Sequence, residues 1–318
     1  MPRSASTATW YLRFPVRAAT ADDAAARAPL VERVLARAAA RAAAADWRRE
    51  AFELVAAPGE RWPGLAPAAA HRAFGALDAA AVFLATPVAY LPTLTRLHLA
   101  PDGLLAIEPA EAARLAADHD AAFAPARRLL AAPDGRLFCV FQRLPEVATC
   151  DPAGALGGDV GAFQPSGPGA AALRLAASEL EMWLHTHPLN RAREQRGHPP
   201  IAGLWLWGGG VPLERAPRLA GFIAGEDPLC AAFAPPGAQP APPALAHERR
   251  DGVVCVDAAP GSAQWPHAEH WLGAALAALA ERRIGRIVLR AGAQAFEYGP
   301  AEHRRFWRRA RPWWERLA

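Results

Sequence analysis

Lysine is absent from this 318-residue chain; all 35 basic residues are arginine. That absence excludes a lysine nucleophile, a Schiff base and a pyridoxal anchor. It also excludes a Walker-type phosphate loop, whose lysine reaches the terminal phosphates. Cysteine is scarce. Cys139, Cys150, Cys230 and Cys255 are scattered with no C-x-x-C, which fits reduced thiols and a cytoplasmic setting rather than a disulfide scaffold or a thiolate zinc site. No serine sits in a G-x-S-x-G elbow. The opening MPRSASTATW lacks the apolar core of a signal peptide, and no apolar run reaches the ~20 residues of a membrane span.

Alanine, proline and glycine are abundant, the usage of a GC-rich genome. The net charge of +4 therefore says little about partners. The densest basic cluster, Arg304, Arg305, Arg308, Arg309 and Arg311, reads as a solvated helix face. Neither a nucleic-acid nor a membrane partner is expected.

The chain divides by pattern near residue 150. Residues 1–150 read as α+β with hairpins. Trp10 to Val16 is a first strand, and Thr20 with Asp23 opens a helix carrying Leu30, Val31, Val34 and Leu35. Residues 47–78 are rich in Trp, Pro and Gly and resist assignment. Two hairpins are expected, around Pro101-Asp102-Gly103 and around Pro133-Asp134-Gly135, with a helix from Pro109 between them. Residues 151–318 read as α/β with a mostly parallel or mixed sheet flanked by helices. Ile201 to Trp207 lacks alternation and reads as an interior strand. Pro235 to Pro243 is a proline-rich linker, and Glu302 to Glu315 reads as a terminal helix.

The chemistry concentrates between Glu179 and Gly210, ELEMWLHTHPLNRAREQRGHPPIAGLWLWGGG. On a helix Glu181 and His185 are four apart and can pair. His185 and His187 are about 200° apart on a helix and share a metal only if the helix ends between them. Pro188 breaks the helix, and Gly197 ends a short second one. Arg191, Arg193 and Arg196 carry forked guanidinium groups suited to carboxylate or phosphate. Trp205 and Trp207 share one face of the strand, and Gly208, Gly209 and Gly210 let a backbone approach a ligand closely. The expected ligand-binding set is Asn190, Arg193, Arg196, Trp205, Trp207, Gly208, Gly209, Gly210, Glu181, His185 and His187. Within it Asn190, Arg193 and the three glycine amides form one anion-accepting pocket, rimmed by Glu181 and His185. The alternative is that Asn190 and Arg193 tie the short helix to the glycine turn. His267 and His270 are three apart, but no further ligand stands nearby in sequence.

His187, Pro188, Asn190, Arg193, Gly197, Pro200, Leu204 to Trp207 and Gly208 to Gly210 together resemble the signature of RpfE-type regulatory proteins, a bacterial family classed with cofactor-independent phosphoglycerate mutases. Gly158-Asp159-Val160 adds a weaker match. The resemblance implies a distant alkaline-phosphatase-like fold and two ligand possibilities, a phosphorylated or carboxylated small molecule and a protein partner. Two departures matter. Ala202-Gly203 stands where Asn-Ser is expected. Arg17-Ala18-Ala19-Thr20 follows the first strand where the mutases carry the Asp of a two-metal, serine-nucleophile centre, and the later Asp257 supplies a single carboxylate, too little for a dinuclear site. The resemblance thus implies ancestry without mutase catalysis and no cofactor. An active phosphotransfer enzyme using a divalent metal such as Mn or Zn is the alternative, and a phospho-metabolite sensor is the third reading.

Overall fold

A computed structural model describes residues 8–14, 28–44, 46–225, 227–233, 247–256, 265–291 and 294–313. The expected helix start at Thr20–Asp23, the 235–243 linker and Asp257 lie outside these residues. The chain is α/β and forms two compact units, residues 1–62 with 217–318, and residues 63–216. This is not the expected division near 150. The central unit interrupts the other in sequence.

The discontinuous unit holds a six-stranded mixed sheet. It comprises β1 (Thr9–Phe14), β2 (Ala39–Ala42), β8 (Phe222–Gly225), β9 (Gly252–Cys255), β10 (Arg286–Ala291) and β11 (Gln294–Tyr298). Their order is β2-β11-β10-β1-β9-β8. β1 lies parallel to both β9 and β10, and β9 parallel to β8. β11 and β2 extend the sheet antiparallel. Trp10, Leu12 and Phe14 alternate onto one face, where α1 (Pro29–Arg37) and α8 (Trp265–Ala280) bury Val31, Val34, Leu272 and Ala275 against them. α2 (Trp47–Val55) packs on β9, and α7 (Pro228–Phe233) follows β8. The terminal helix is much shorter than expected. α9 covers only Pro300–His303, held by Glu302 on the Gly299 amide. Trp313 is buried, whereas Phe306 and Trp307 stay exposed.

The central unit holds an antiparallel sheet of β3 (Ala81–Pro92), β4 (Leu97–Leu104), β5 (Arg127–Ala131), β6 (Leu137–Phe141) and β7 (Gly203–Gly210). The β5–β6 hairpin turns at Pro133-Asp134-Gly135 as expected. The Pro101-Asp102-Gly103 segment does not turn. It lies inside β4 as a bulge between the pairs Val88↔Leu104 and Tyr90↔Leu99. A Cβ on Gly103 would fall 2.7 Å from Ala89 O, so the close backbone approach there requires glycine. The strand expected in the sheet interior is β7, and it is an edge: among the described strands it pairs with β3 alone. Its run lacks alternation because both faces are covered. Leu204 and Leu206 join Leu173, Ala176, Leu180 and Leu184 of α5 (Ala170–Thr186) in one apolar cluster. α3 (Leu65–Phe74) packs on β7 and β3. α4 (Pro109–Phe123), capped reciprocally by Glu108 and Glu111, adds Ala112 and Leu115 to the same cluster as α5.

Candidate functional site

The break after α5 is built from the signature residues themselves. His187 ends α5 and caps α6 (Pro188–Gln195), its Nδ1 accepting from the Leu189 amide at 3.2 Å. Its Nε2 lies 3.2 Å from Asp118 Oδ2, and burial lowers its pKa against the pull of that carboxylate. Asn190 is fully engaged. Its Nδ2 donates to Leu184 O (2.8 Å) and Ile201 O (2.9 Å), and its Oδ1 accepts from the Ile201 amide (2.8 Å). Arg193 is 3% exposed and donates to Pro199 O at 3.0 Å and to Glu111 Oε2 at 2.6 Å. Arg196 closes on the other Glu111 oxygen. Burial alone would raise the Glu111 carboxyl; the two guanidinium groups outweigh it and hold it below the usual range.

These contacts overturn the single anion pocket. Asn190 and Arg193 tie α6 to the residues just before β7, while Gly208 to Gly210 lie at its far end. Eight residue steps, nearly all within β7, lead from Ile201 to Gly209, roughly 25 Å at ~3.3 Å per residue. The glycines serve packing instead. Gly208 has φ +66°, and its amide donates to Thr149 Oγ1 at 3.1 Å. A Cβ on Gly209 would lie 2.1 Å from the Phe83 ring. Trp205 and Trp207 are also tied by their ring N–H groups, to Cys150 O at 3.0 Å and Thr86 Oγ1 at 2.8 Å. The expected Glu181–His185 pair does not form. His185 is exposed, and Glu181 turns to Tyr90, whose hydroxyl donates to Glu181 Oε1 at 3.2 Å.

That Tyr90–Glu181 contact marks the site. It sits in the wall of a cavity of about 230 Å³ between α5, β7 and the connector around residues 149–165. Leu97, Phe163, Leu173, Leu204 and Trp205 supply the apolar lining; Thr149, Cys150, Arg174 and Ser178 supply the polar points. Apolar walls with few convergent polar groups are the usual composition of a small-ligand site. Burial raises the Glu181 carboxyl above the usual range, the Tyr90 hydrogen bond opposing it in part. Burial also raises the Tyr90 phenol and the Cys150 thiol, so neither ionises near neutrality. Gly203 is what lets the pair close. A Cβ there would lie 3.0 Å from Tyr90 Oη and 3.2 Å from Glu181 Cγ. The departure to Ala202-Gly203 thus opens the space that Tyr90 and Glu181 fill.

Of the expected residues only Glu181 and Trp205 line this cavity. A second, more open groove that also includes Glu181 holds His185 and Asn190 with Arg191 and Glu194. Tyr90, Cys150 and Arg174 carried no local signal, because each reaches the cavity from a different element. Among the described residues no three His, Cys, Asp or Glu side chains come together as a metal ligand set.

No protein-family profile matches the chain. No curated protein matches it either. Among solved structures, a cofactor-independent phosphoglycerate mutase from Thermoplasma acidophilum DSM 1728 aligns over 92% of this chain and 90% of its own, at 13% identity and a TM-score of 0.38. The PH0037 protein from Pyrococcus horikoshii aligns over 93% of this chain and 88% of its own, at 11% identity and a TM-score of 0.43.

Proposed function

We propose that this chain is a regulatory, small-molecule-binding protein of the RpfE type, related to the cofactor-independent phosphoglycerate mutases, that holds its ligand in the Tyr90–Glu181 cavity without turning it over. The observation that carries the binding reading is the cavity itself, mostly apolar-walled, with the half-buried Glu181 carboxyl and Tyr90 phenol in its lining. The kinship rests on the signature residues, and the regulatory role rests on that kinship alone. Asn190 and Arg193, the groups expected to hold a phosphate or carboxylate, are occupied by backbone carbonyls and Glu111. Among the described residues no helix is long and apolar enough to cross a membrane. Four free cysteines agree with the cytoplasmic setting we assign. A protein partner that reads the liganded state completes the proposal.

The experiment is a thermal-shift screen of small metabolites on the wild-type protein and on Ala177→Phe, which places a ring into the cavity. Compounds should stabilise the first and not the second. A parallel assay offers 3-phosphoglycerate with Mn²⁺ or Zn²⁺; no turnover is expected. Stabilisation of both proteins alike would move the site elsewhere, and turnover of 3-phosphoglycerate would overturn the non-catalytic reading.

A further inference from the structure

Glu181 is half-buried and differs from the acids of this chain that are paired to arginine. Glu111 meets Arg193 and Arg196, Asp120 meets Arg128, Asp227 meets Arg48, and Glu248 meets Arg250. Burying a carboxylate is costly unless a cation or several donors compensate it; arginine performs that role at these four acids, and the Leu30 and Val31 amides perform it at Glu269. Glu181 has no arginine or histidine partner among the described residues. The Tyr90 hydroxyl engages Oε1; Oε2 has no protein partner there. Arg174 lines the same cavity and is bonded within its wall. Its Nη1 donates to Pro165 O at 3.1 Å, and it stands two helical turns before Glu181, about 10 Å along the axis.

We propose that the cavity takes a protonated amine, a primary or quaternary ammonium on a small apolar body, with Glu181 Oε2 as counter-ion and the rings of Tyr90, Phe163 and Trp205 among its walls. This rests on reading the cavity as the ligand site, and it reverses the charge expected of the ligand. Aromatic rings beside a carboxylate are the recurring solution for ammonium recognition, because ring quadrupole and anion attract the same charge. The apolar lining suits the body of such a molecule and disfavours a phosphate, for which the cavity offers one guanidinium, bonded to Pro165 O, and an opposing carboxylate.

The ammonium needs Glu181 ionised. Affinity should therefore fall as pH drops through the raised Glu181 range. The other titratable or charged groups around Glu181 are Tyr90 on β3, Cys150 on the connector, Arg174 and His185 on α5, and Arg191 and Glu194 on α6. The variant at position 181 assigns the pH dependence to Glu181.

Calorimetric titrations use n-propylammonium, benzylammonium and tetramethylammonium against butyrate, phenylacetate and inorganic phosphate. The proteins are wild type, Glu181→Gln, Tyr90→Phe and Ala177→Phe. The expected result is binding of ammonium probes alone, weakened about tenfold or more by Glu181→Gln with loss of the pH dependence, and abolished by Ala177→Phe. Tyr90→Phe should bind with smaller loss, which keeps the test valid if Glu181→Gln folds poorly. Binding of a carboxylate or phosphate that Ala177→Phe blocks and Glu181→Gln leaves intact would overturn the ligand class while leaving the cavity as the site. Ammonium binding indifferent to both substitutions, or no binding by any probe, would overturn the proposal.

Discussion

Arg193 has two hydrogen-bonded partners and almost no exposure, which assigns it to architecture. Arg193→Ala strands Glu111 with Arg196 alone, and breaking a buried pair costs about 3 kcal/mol. The melting temperature should drop by several degrees while any cavity ligand stabilises the variant as much as wild type; loss of the ligand response instead would return Arg193 to the site. His119 makes a second prediction at this scale. It is fully buried, its Nε2 has no partner, and its ring meets Phe123 and Trp183. Burial lowers its pKa from 6.5 to about 4, with the Arg127 charge adding and Asp120 opposing. The unfolded chain therefore takes up a proton below about pH 6.5 that the folded one refuses. Stability should fall between pH 6.5 and 4, by roughly 3 kcal/mol for this group. His119→Phe should flatten that part of a denaturation-versus-pH curve, and an unchanged slope would show that His119 is not its source. A structural role for Arg193 was legible only as the alternative to an anion pocket, and its partner Glu111 was not, since it lies 82 positions away.

At the scale of elements, punctuation was legible and pairing was not. Pro188 breaks α5, Gly197 with φ +74° follows α6, and Pro133-Asp134-Gly135 turns the β5–β6 hairpin, each through backbone chemistry confined to a few residues. The same Pro-Asp-Gly letters at 101–103 became a bulge because β4 pairs beyond them with β3, a fact no local window contains. The β7 run was read as interior because it lacks alternation. Its covers are α5 on one side and α3 with the connector on the other, so an edge strand is buried on both faces. The glycines at its end looked like ligand contacts and are packing contacts. Gly209→Ala should force the Phe83 ring aside and cost about 1–3 kcal/mol. Chemical denaturation checks this; a change under 0.5 kcal/mol would mean that the strand end yields more easily than its contacts imply.

For the whole molecule, β1 stands between β9 and β10 in the mixed sheet, and residues 63–216 close into a unit of their own before the chain returns. Strands such as β1 were visible in the sequence as separate patterns, although β2 and β11 were not expected. Their neighbours were not, because parallel pairing across more than 200 residues leaves no mark in either strand alone. The expected α+β first half and α/β second half therefore describe the local patterns but not the compact bodies. Residues 63–216 contain their sheet, its helices and the cavity without a break. Expressed alone, they should unfold in one cooperative transition, whereas residues 1–62 alone should not fold. A molten 63–216 fragment would contradict the division.

The central claim, a ligand cavity that selects positive charge through Glu181, can be tested without knowing the ligand. Cys150 lines the cavity and is half-buried, while Cys139, Cys230 and Cys255 are buried. The measurement is the rate of Cys150 modification by a cationic ethylammonium thiosulfonate relative to its anionic ethylsulfonate counterpart, each normalised to a free thiol in solution. The account predicts a normalised ratio of about ten or more in wild type, collapsing toward one in Glu181→Gln. A ratio near one in wild type, or one that Glu181→Gln leaves unchanged, would contradict it.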